Sequence, residues 1–256
     1  MNPVFIGLDP TAGRRPMDFA VLDDDLDLVQ HGQGNFDAVL GLVRAHASAV
    51  IAVDAPQSPN AGLMRDPERR KSYGLPPDSA KWANFKVCEY ELRRRGLKLY
   101  STPGEIQAAP KWMQLGFKLY AALRAEGYQP YRPGSAAPKQ YLEVHPHAIY
   151  AALLGHLPWR KDTLEGRMQR QLLLYRENVE VPNPMAVLEE ITGHHLLEGQ
   201  LPLPDLRSHD ELDALASAYT AFLAYRHLER VTCVGDEVEG QIILPINAAD
   251  FKEKYH

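Results

Sequence analysis

The chain has 256 residues, 45% of them apolar, and a formal net charge of −5. That length suits one large domain, or one domain carrying an insertion, and the acidic balance argues against a protein that coats nucleic acid without specificity. No apolar run reaches the roughly 18 residues that span a bilayer, and only two cysteines, Cys88 and Cys233, exclude a disulfide framework and fit a reducing cytoplasm. The first residues read directly into a strand, so no signal peptide and a cytoplasmic location are expected.

Val4 to Asp9 is a short apolar run that ends in Asp-Pro. Phe19 to Leu22 reads as a second strand, the Asp23-Asp24-Asp25 turn follows, and Leu26 to Gln30 is a third strand ended by Gly32 and Gly34. These turn signals predict an antiparallel three-stranded meander. Asn35 caps a helix through about His46, with Phe36, Val39, Leu40 and Val43 on one stripe. Val50 to Val53 is apolar on both faces, as a doubly covered central strand is. Strand, helix and buried strand together imply a right-handed parallel crossover.

Residues 56–84 are rich in Pro, Gly, Arg and Ser and read as a long loop. A helix over Lys86–Gly96, a short strand over Leu97–Thr102 and a helix over Trp112–Gly127 follow. Tyr141 to His145 is the next strand, and His147 to Leu154 a helix. Residues 156–204 read as a helical insertion, with helices over Thr163–Tyr175 and Met185–Thr192. Asp210 to Leu228 is the longest helix, and Thr232 to Ile246 carries two closing strands around a turn.

Acidic residues sit where open α/β sheets place their chemistry, outside the carboxyl ends of strands. Asp9 and Asp54 end two strands, Glu143 lies late in a third, and Asp210 and Asp213 open the long helix. That helix carries Asp210, Asp213, Ala214, Ser217, Ala218, Ala221 and Ala224 on one stripe. Small residues there let it lie close against a sheet, with the two aspartates at its N-terminal end. Carboxylates gathered in a partly buried site raise their pKa values or require a cation. Mg²⁺ or Mn²⁺ is the expected ion, since hard divalent cations take carboxylate oxygens and a pair of them promotes phosphodiester cleavage. Arg65, Arg69 and Lys71 on the long loop, with Lys86 and Arg93 on the helix after it, are candidate phosphate contacts. Taken singly, each aspartate also reads as a turn or cap residue.

Five segments carry a resemblance: Phe5-Ile6-Gly7-Leu8-Asp9, Ile51-Ala52-Val53-Asp54-Ala55-Pro56, the Cys88–Gly96 helix, Glu143-Val144-His145-Pro146, and His209 to Ala216. In this order they resemble domain-of-unknown-function family 429, predicted nucleases with a ribonuclease H-like fold. Glu239 to Pro245 is similar to that family's end. The resemblance implies a ribonuclease H-like mixed sheet, three antiparallel strands followed by parallel ones. It also implies a three-acid site of Asp9, Asp54 and Asp213, with Asp210 near it. Together with the placement of the acids it predicts a metal-dependent nuclease acting on DNA or RNA, with Asp9, Asp54 and Asp213 around the metal and Asp210 or Glu143 adjusting its charge. Holliday-junction resolvases of this superfamily place their acids similarly. Pro10-Thr11-Ala12-Gly13 is also similar to the phosphate-binding turn of actin-like and sugar-kinase-like ATPases, so an ATP-binding phosphotransfer protein is the second expectation. A non-catalytic nucleic-acid-binding module is the third.

Overall fold

Alternation along the first strand sets the layers. In β1 (Val4–Asp9) Phe5 joins one core while Ile6 and Leu8 join another, as a period of two requires. The computed structural model describes residues 2–11, 15–201 and 203–256. β2 (Met17–Leu22) and β3 (Leu28–Gly34) complete the expected meander, antiparallel throughout. The third strand starts later than its apolar pattern suggests, because Leu26 adopts φ +66° in the turn. It also runs through both glycines, since Gly32 and Gly34 pair with Phe19 and Met17.

α1 (Phe36–Ala45), capped by Asn35, leads into β4 (Ala49–Val53), which lies parallel to β1. The segment read as a loop contains a 3₁₀ turn at Leu63–Arg65 and α2 (Pro67–Ser72). It is pinned from within: the buried Arg70 guanidinium donates to the carbonyls of Met64, Pro76 and Lys81. Met64, Tyr73, Trp82 and Phe85 pack on Tyr90 of α3 (Val87–Arg94).

Residues 97–102 form no strand. Their polar backbone serves other groups instead: the Leu99 carbonyl accepts from Arg93, the Lys98 carbonyl faces His145, and the Thr102 N–H donates to Glu89. α4 (Lys111–Ala125), β5 (Gln129–Pro130), β6 (Lys139–Glu143) and α5 (Pro146–Leu154) follow. The helical insertion holds α6 (Leu164–Arg176), α7 (Ala186–Glu190) and α8 (Gly193–Leu197). α9 (His209–Arg226) and the hairpin of β7 (Thr232–Asp236) and β8 (Gly240–Leu244) close the chain.

The eight-stranded mixed sheet runs β3-β2-β1-β4-β6-β8-β7, with β5 also paired to β6. β1, β4, β6 and β8 are mutually parallel. Three antiparallel strands followed by parallel ones, with helices on both faces, is consistent with a ribonuclease H-like arrangement. α5, α6 and α9 cover one face, and α1 and α4 the other. α9 is buried from Leu212 to Ala224, as a helix enclosed on all sides is. Among the described residues no helix is long and apolar enough to cross a membrane.

Candidate active site

The parity that assigns core residues also assigns the acids. Phe5 and Gly7 of β1 face α9, so Asp9, two residues on, points the same way. In β4, Val50 and Ala52 lie on that face, and Asp54 continues their row. The Asp54 N–H donates to the Leu8 carbonyl at 2.9 Å, holding the two strand ends together. Below Asp54 the backbone is fixed by Tyr120, whose hydroxyl donates to the Ala55 carbonyl at 3.1 Å.

The helix reaches these strand ends because Gly7 lets it. A Cβ at Gly7 would lie 1.9 Å from the Ala214 carbonyl oxygen and 2.6 Å from the Ala218 nitrogen. Both contacts fall on the small-residue stripe. The start of α9 is fixed by a reciprocal cap, Ser208 Oγ accepting from Glu211 N–H and the Glu211 carboxylate from Ser208 N–H. Tyr150 donates to the Leu212 carbonyl at 2.7 Å. Asp213, 3% exposed, is thereby carried to the same end of the sheet.

Asp9, Asp54 and Asp210 line one cleft of about 480 Å³, together with Arg15, His145 and Lys161. Asp54 and Asp213 line an adjoining cleft of similar size. Burial, then the neighbouring Asp54 and Asp213 carboxylates, push the Asp9 carboxyl up to about 9. Burial also raises Asp213, against the opposing pull of Lys161. Lys161 Nζ stands 2.7 Å from Asp213 Oδ2. Burial pulls that ammonium down, but Asp213 holds it net above its ordinary value. His145 Nδ1 lies 3.5 Å from Asp54 Oδ1, and although burial lowers the imidazole, Asp54 leaves it net raised. Asp210 is met by Arg15 at 3.6 Å and His209 at 3.2 Å.

Glu143 is not brought to the aspartates. It pairs in register with Val53, so it shares the face of Val53, opposite to that of Asp54. There it is buried, accepts from the Gln57 N–H at 2.9 Å and stands 3.9 Å from Lys86 Nζ. Burial, opposed by Lys86, pushes it to about 7. Lys86 is 0% exposed and points into this cluster, away from solvent. Arg65 bonds to Asn84 and the Ala83 carbonyl, and Arg69 to Asp236 at 2.8 Å. Lys71 is exposed on α2, and Arg93 donates to the Leu99 carbonyl beside the Phe85 ring. None of these five cations lines either aspartate cleft. The Pro10–Gly13 phosphate turn lies in part outside the described residues.

Sequence reasoning missed Lys161, which reaches in from the segment before α6. It also missed Asp18, buried on β2 opposite Asp9 in register and held by Gln33 at 3.0 Å. Register across a meander is the signal that identifies Asp18. Nothing local marks Lys161.

Among the described residues, no group of three or more His, Cys, Asp or Glu is arranged to hold a metal ion. The donor chemistry nevertheless suits Mg²⁺ or Mn²⁺. Mg²⁺ commonly binds through one or two carboxylates, with waters and substrate phosphates completing its shell. Asp9 and Asp54 are hard oxygen donors on adjacent strand ends, and the raised Asp9 carboxyl marks a site short of positive charge.

No curated protein and no solved structure matches the chain. A family model described as "Protein of unknown function (DUF429)" matches residues 7–240. That match takes in both strand-end aspartates, the whole of α9 and the sheet from the middle of β1 to the start of β8, and the chain belongs to the DUF429 family.

Proposed function

We propose that this protein is a metal-dependent nuclease that hydrolyses phosphodiester bonds at the Asp9–Asp54–Asp213 site. The reading is carried by one observation: two strand ends and one helix start bring three aspartates to one face of the sheet, where burial and mutual repulsion push Asp9 up to about 9. Holding such a cluster costs stability unless a cation offsets it. Asp9 and Asp54 would hold Mg²⁺ or Mn²⁺, with Asp213 beside them. When bound, such an ion supplies a Lewis acid for phosphoryl oxygens and a more acidic water.

The chain's own groups divide the remaining work. His145, 3.5 Å from Asp54, would offset that carboxylate's charge when protonated. The half-exposed Lys161 neutralises Asp213 and, with Arg15, lines the cleft through which a phosphate would enter. These rim cations attract the substrate's backbone although the net charge is negative, because local potential rather than net charge steers a ligand into a cleft. The family match, to a family of unknown function, adds no activity, so the reading rests on the site alone.

Calorimetric titration of Mn²⁺ into wild type and Asp54→Asn, followed by a screen of DNA and RNA oligonucleotides, tests the proposal. Binding that Asp54→Asn abolishes, with cleavage lost in the same variant, is the expected result. Full cleavage by Asp9→Asn and Asp54→Asn would overturn it.

A further inference from the structure

The second cleft runs from Asp54 and Asp213 to Trp159, with Lys98, Arg160 and Lys161 along its walls. Trp159 is 58% exposed. An indole left in water forgoes a large hydrophobic contribution, and here its exposure does not come from a loose backbone. The Trp159 N–H donates to Gln169 Oε1 at 2.8 Å, and its carbonyl accepts from Arg170 Nη1 at 2.9 Å. Arg170 is itself buried, with its guanidinium 5.1 Å from the centre of the Tyr150 ring. The next residue is fixed as well: a Cβ at Gly166 would lie 1.8 Å from the Arg160 carbonyl oxygen, so the loop is pressed against the first turn of α6. The fold holds this backbone still and leaves the ring outside.

The surrounding charges select what would cover the ring. Lys98 and Arg160 are exposed. Arg160 is engaged by Asp162 at 2.7 Å, a surface pair that is cheap to exchange. An aromatic face flanked by cations, opening onto a carboxylate centre, complements a chain that alternates anionic phosphates with flat bases. In a duplex the bases are already stacked on each other and offer no face without being unpaired.

We infer that Trp159 stacks a base of single-stranded nucleic acid whose phosphates lie along Lys98, Arg160 and Lys161, so that an unpaired strand is delivered to the aspartates. The inference rests on the nuclease reading and names its substrate class. Trp159 makes it a matter of strand state rather than of sugar, so DNA and RNA share the chemistry.

The test uses the full chain with Ca²⁺ in place of Mg²⁺. Anisotropy of labelled oligothymidylate, oligouridylate, an abasic strand of equal length and a duplex is measured for wild type, Trp159→Ala and Trp159→Phe. Wild type should prefer the base-bearing single strands. Trp159→Ala should weaken that binding about tenfold, the scale of one base–aromatic stack, while duplex and abasic binding stay unchanged. Trp159→Phe should keep most of the affinity for both base-bearing strands. Equal single-strand binding by wild type and Trp159→Ala would overturn the inference and leave the carboxylate site standing. A wild type that binds no oligonucleotide would overturn both.

Discussion

The Lys161 ammonium stands 2.7 Å from the buried Asp213 carboxylate, linking the segment before α6 to the start of α9. It also lies close enough to Asp9 to oppose the rise of that carboxyl. In the metal-free protein this one side chain offsets charge that burial and repulsion would otherwise force out by protonation. Because Lys161 is 48% exposed, the contribution is smaller than for a fully buried pair. Lys161→Met should cost about 1–2 kcal/mol, or ~2–8 °C in melting temperature. Mn²⁺ should restore more of that loss in the variant than it adds to wild type, because the ion then takes over the missing charge. Thermal melts with EDTA and with Mn²⁺ check both halves, and equal Mn²⁺ shifts in the two proteins would sink the idea.

Asp9 gives the apo protein a pH dependence of definite sign. Its carboxyl rises from 3.8 to about 9 on folding, so the folded state binds that proton more tightly than the unfolded one. The stabilising contribution is therefore full below about pH 4 and is lost as pH climbs toward 9. Asp9→Asn keeps the shape and removes the titration. In EDTA the variant should melt close to wild type near pH 4 and several degrees above it at pH 8. Mn²⁺ at pH 8 should then raise the wild type and leave the variant unmoved. A constant melting difference across that range would show that Asp9 carries no such burden.

These two predictions draw unequally on what the sequence displays. Asp9 and Asp54 are legible because each ends an apolar run at a turn, Asp-Pro or Asp-Ala-Pro, and the parity of Phe5-Gly7-Asp9 is local. The α9 stripe is legible for the same reason, and its close contact with Gly7 follows from residue size. The position of Glu143 is not legible. It depends on the register of β6 against β4, a pairing between segments far apart in the chain, and a slip of one residue would move it to the face of Asp54. Lys86 misleads because lysine is almost always exposed, and no pattern in its helix shows that Glu143 lies beneath it. Residues 56–84 look unstructured because their order comes from the buried Arg70 rather than from periodicity. Lys161 and Trp159 escape notice because their own neighbourhood carries no signal, and only the folded chain sets them beside the aspartates.

The Lys86–Glu143 pair forms a structural unit on the opposite face of the sheet. Lys86 Nζ has no hydrogen-bond partner among the described residues, and Glu143 at 3.9 Å balances its charge without a bond. Above the pH of about 7 at which Glu143 ionises, Glu143→Gln keeps the acceptor for the Gln57 N–H but strands the ammonium. The expected cost is about 3–5 kcal/mol at pH 8. Lys86→Met added to that variant should recover much of it, so that the two changes are far from additive in urea denaturation. Independent, additive losses would mean that the two groups do not sense each other.

Gly7 tests whether the position of the helix, rather than the aspartates alone, makes the site. A Cβ there would meet the Ala214 carbonyl oxygen at 1.9 Å and the Ala218 nitrogen at 2.6 Å, both backbone atoms that cannot rotate aside. Gly7→Ala must push α9 away from β1, and overpacking of this kind costs about 1–3 kcal/mol or more. The shift also carries Asp213 away from Asp9 and Asp54, because Asp213 rides on α9 while the other two stay with the strand ends. The variant should therefore melt lower and bind Mn²⁺ more weakly, although every carboxylate is still present. Ala218→Gly in the same chain removes a methyl from the helix face but leaves the clash with the Ala214 carbonyl in place, so it should not restore Mn²⁺ affinity. Calorimetry at a temperature where both variants remain folded separates the two effects, and Gly7→Ala with wild-type Mn²⁺ affinity would show that the site tolerates a displaced helix.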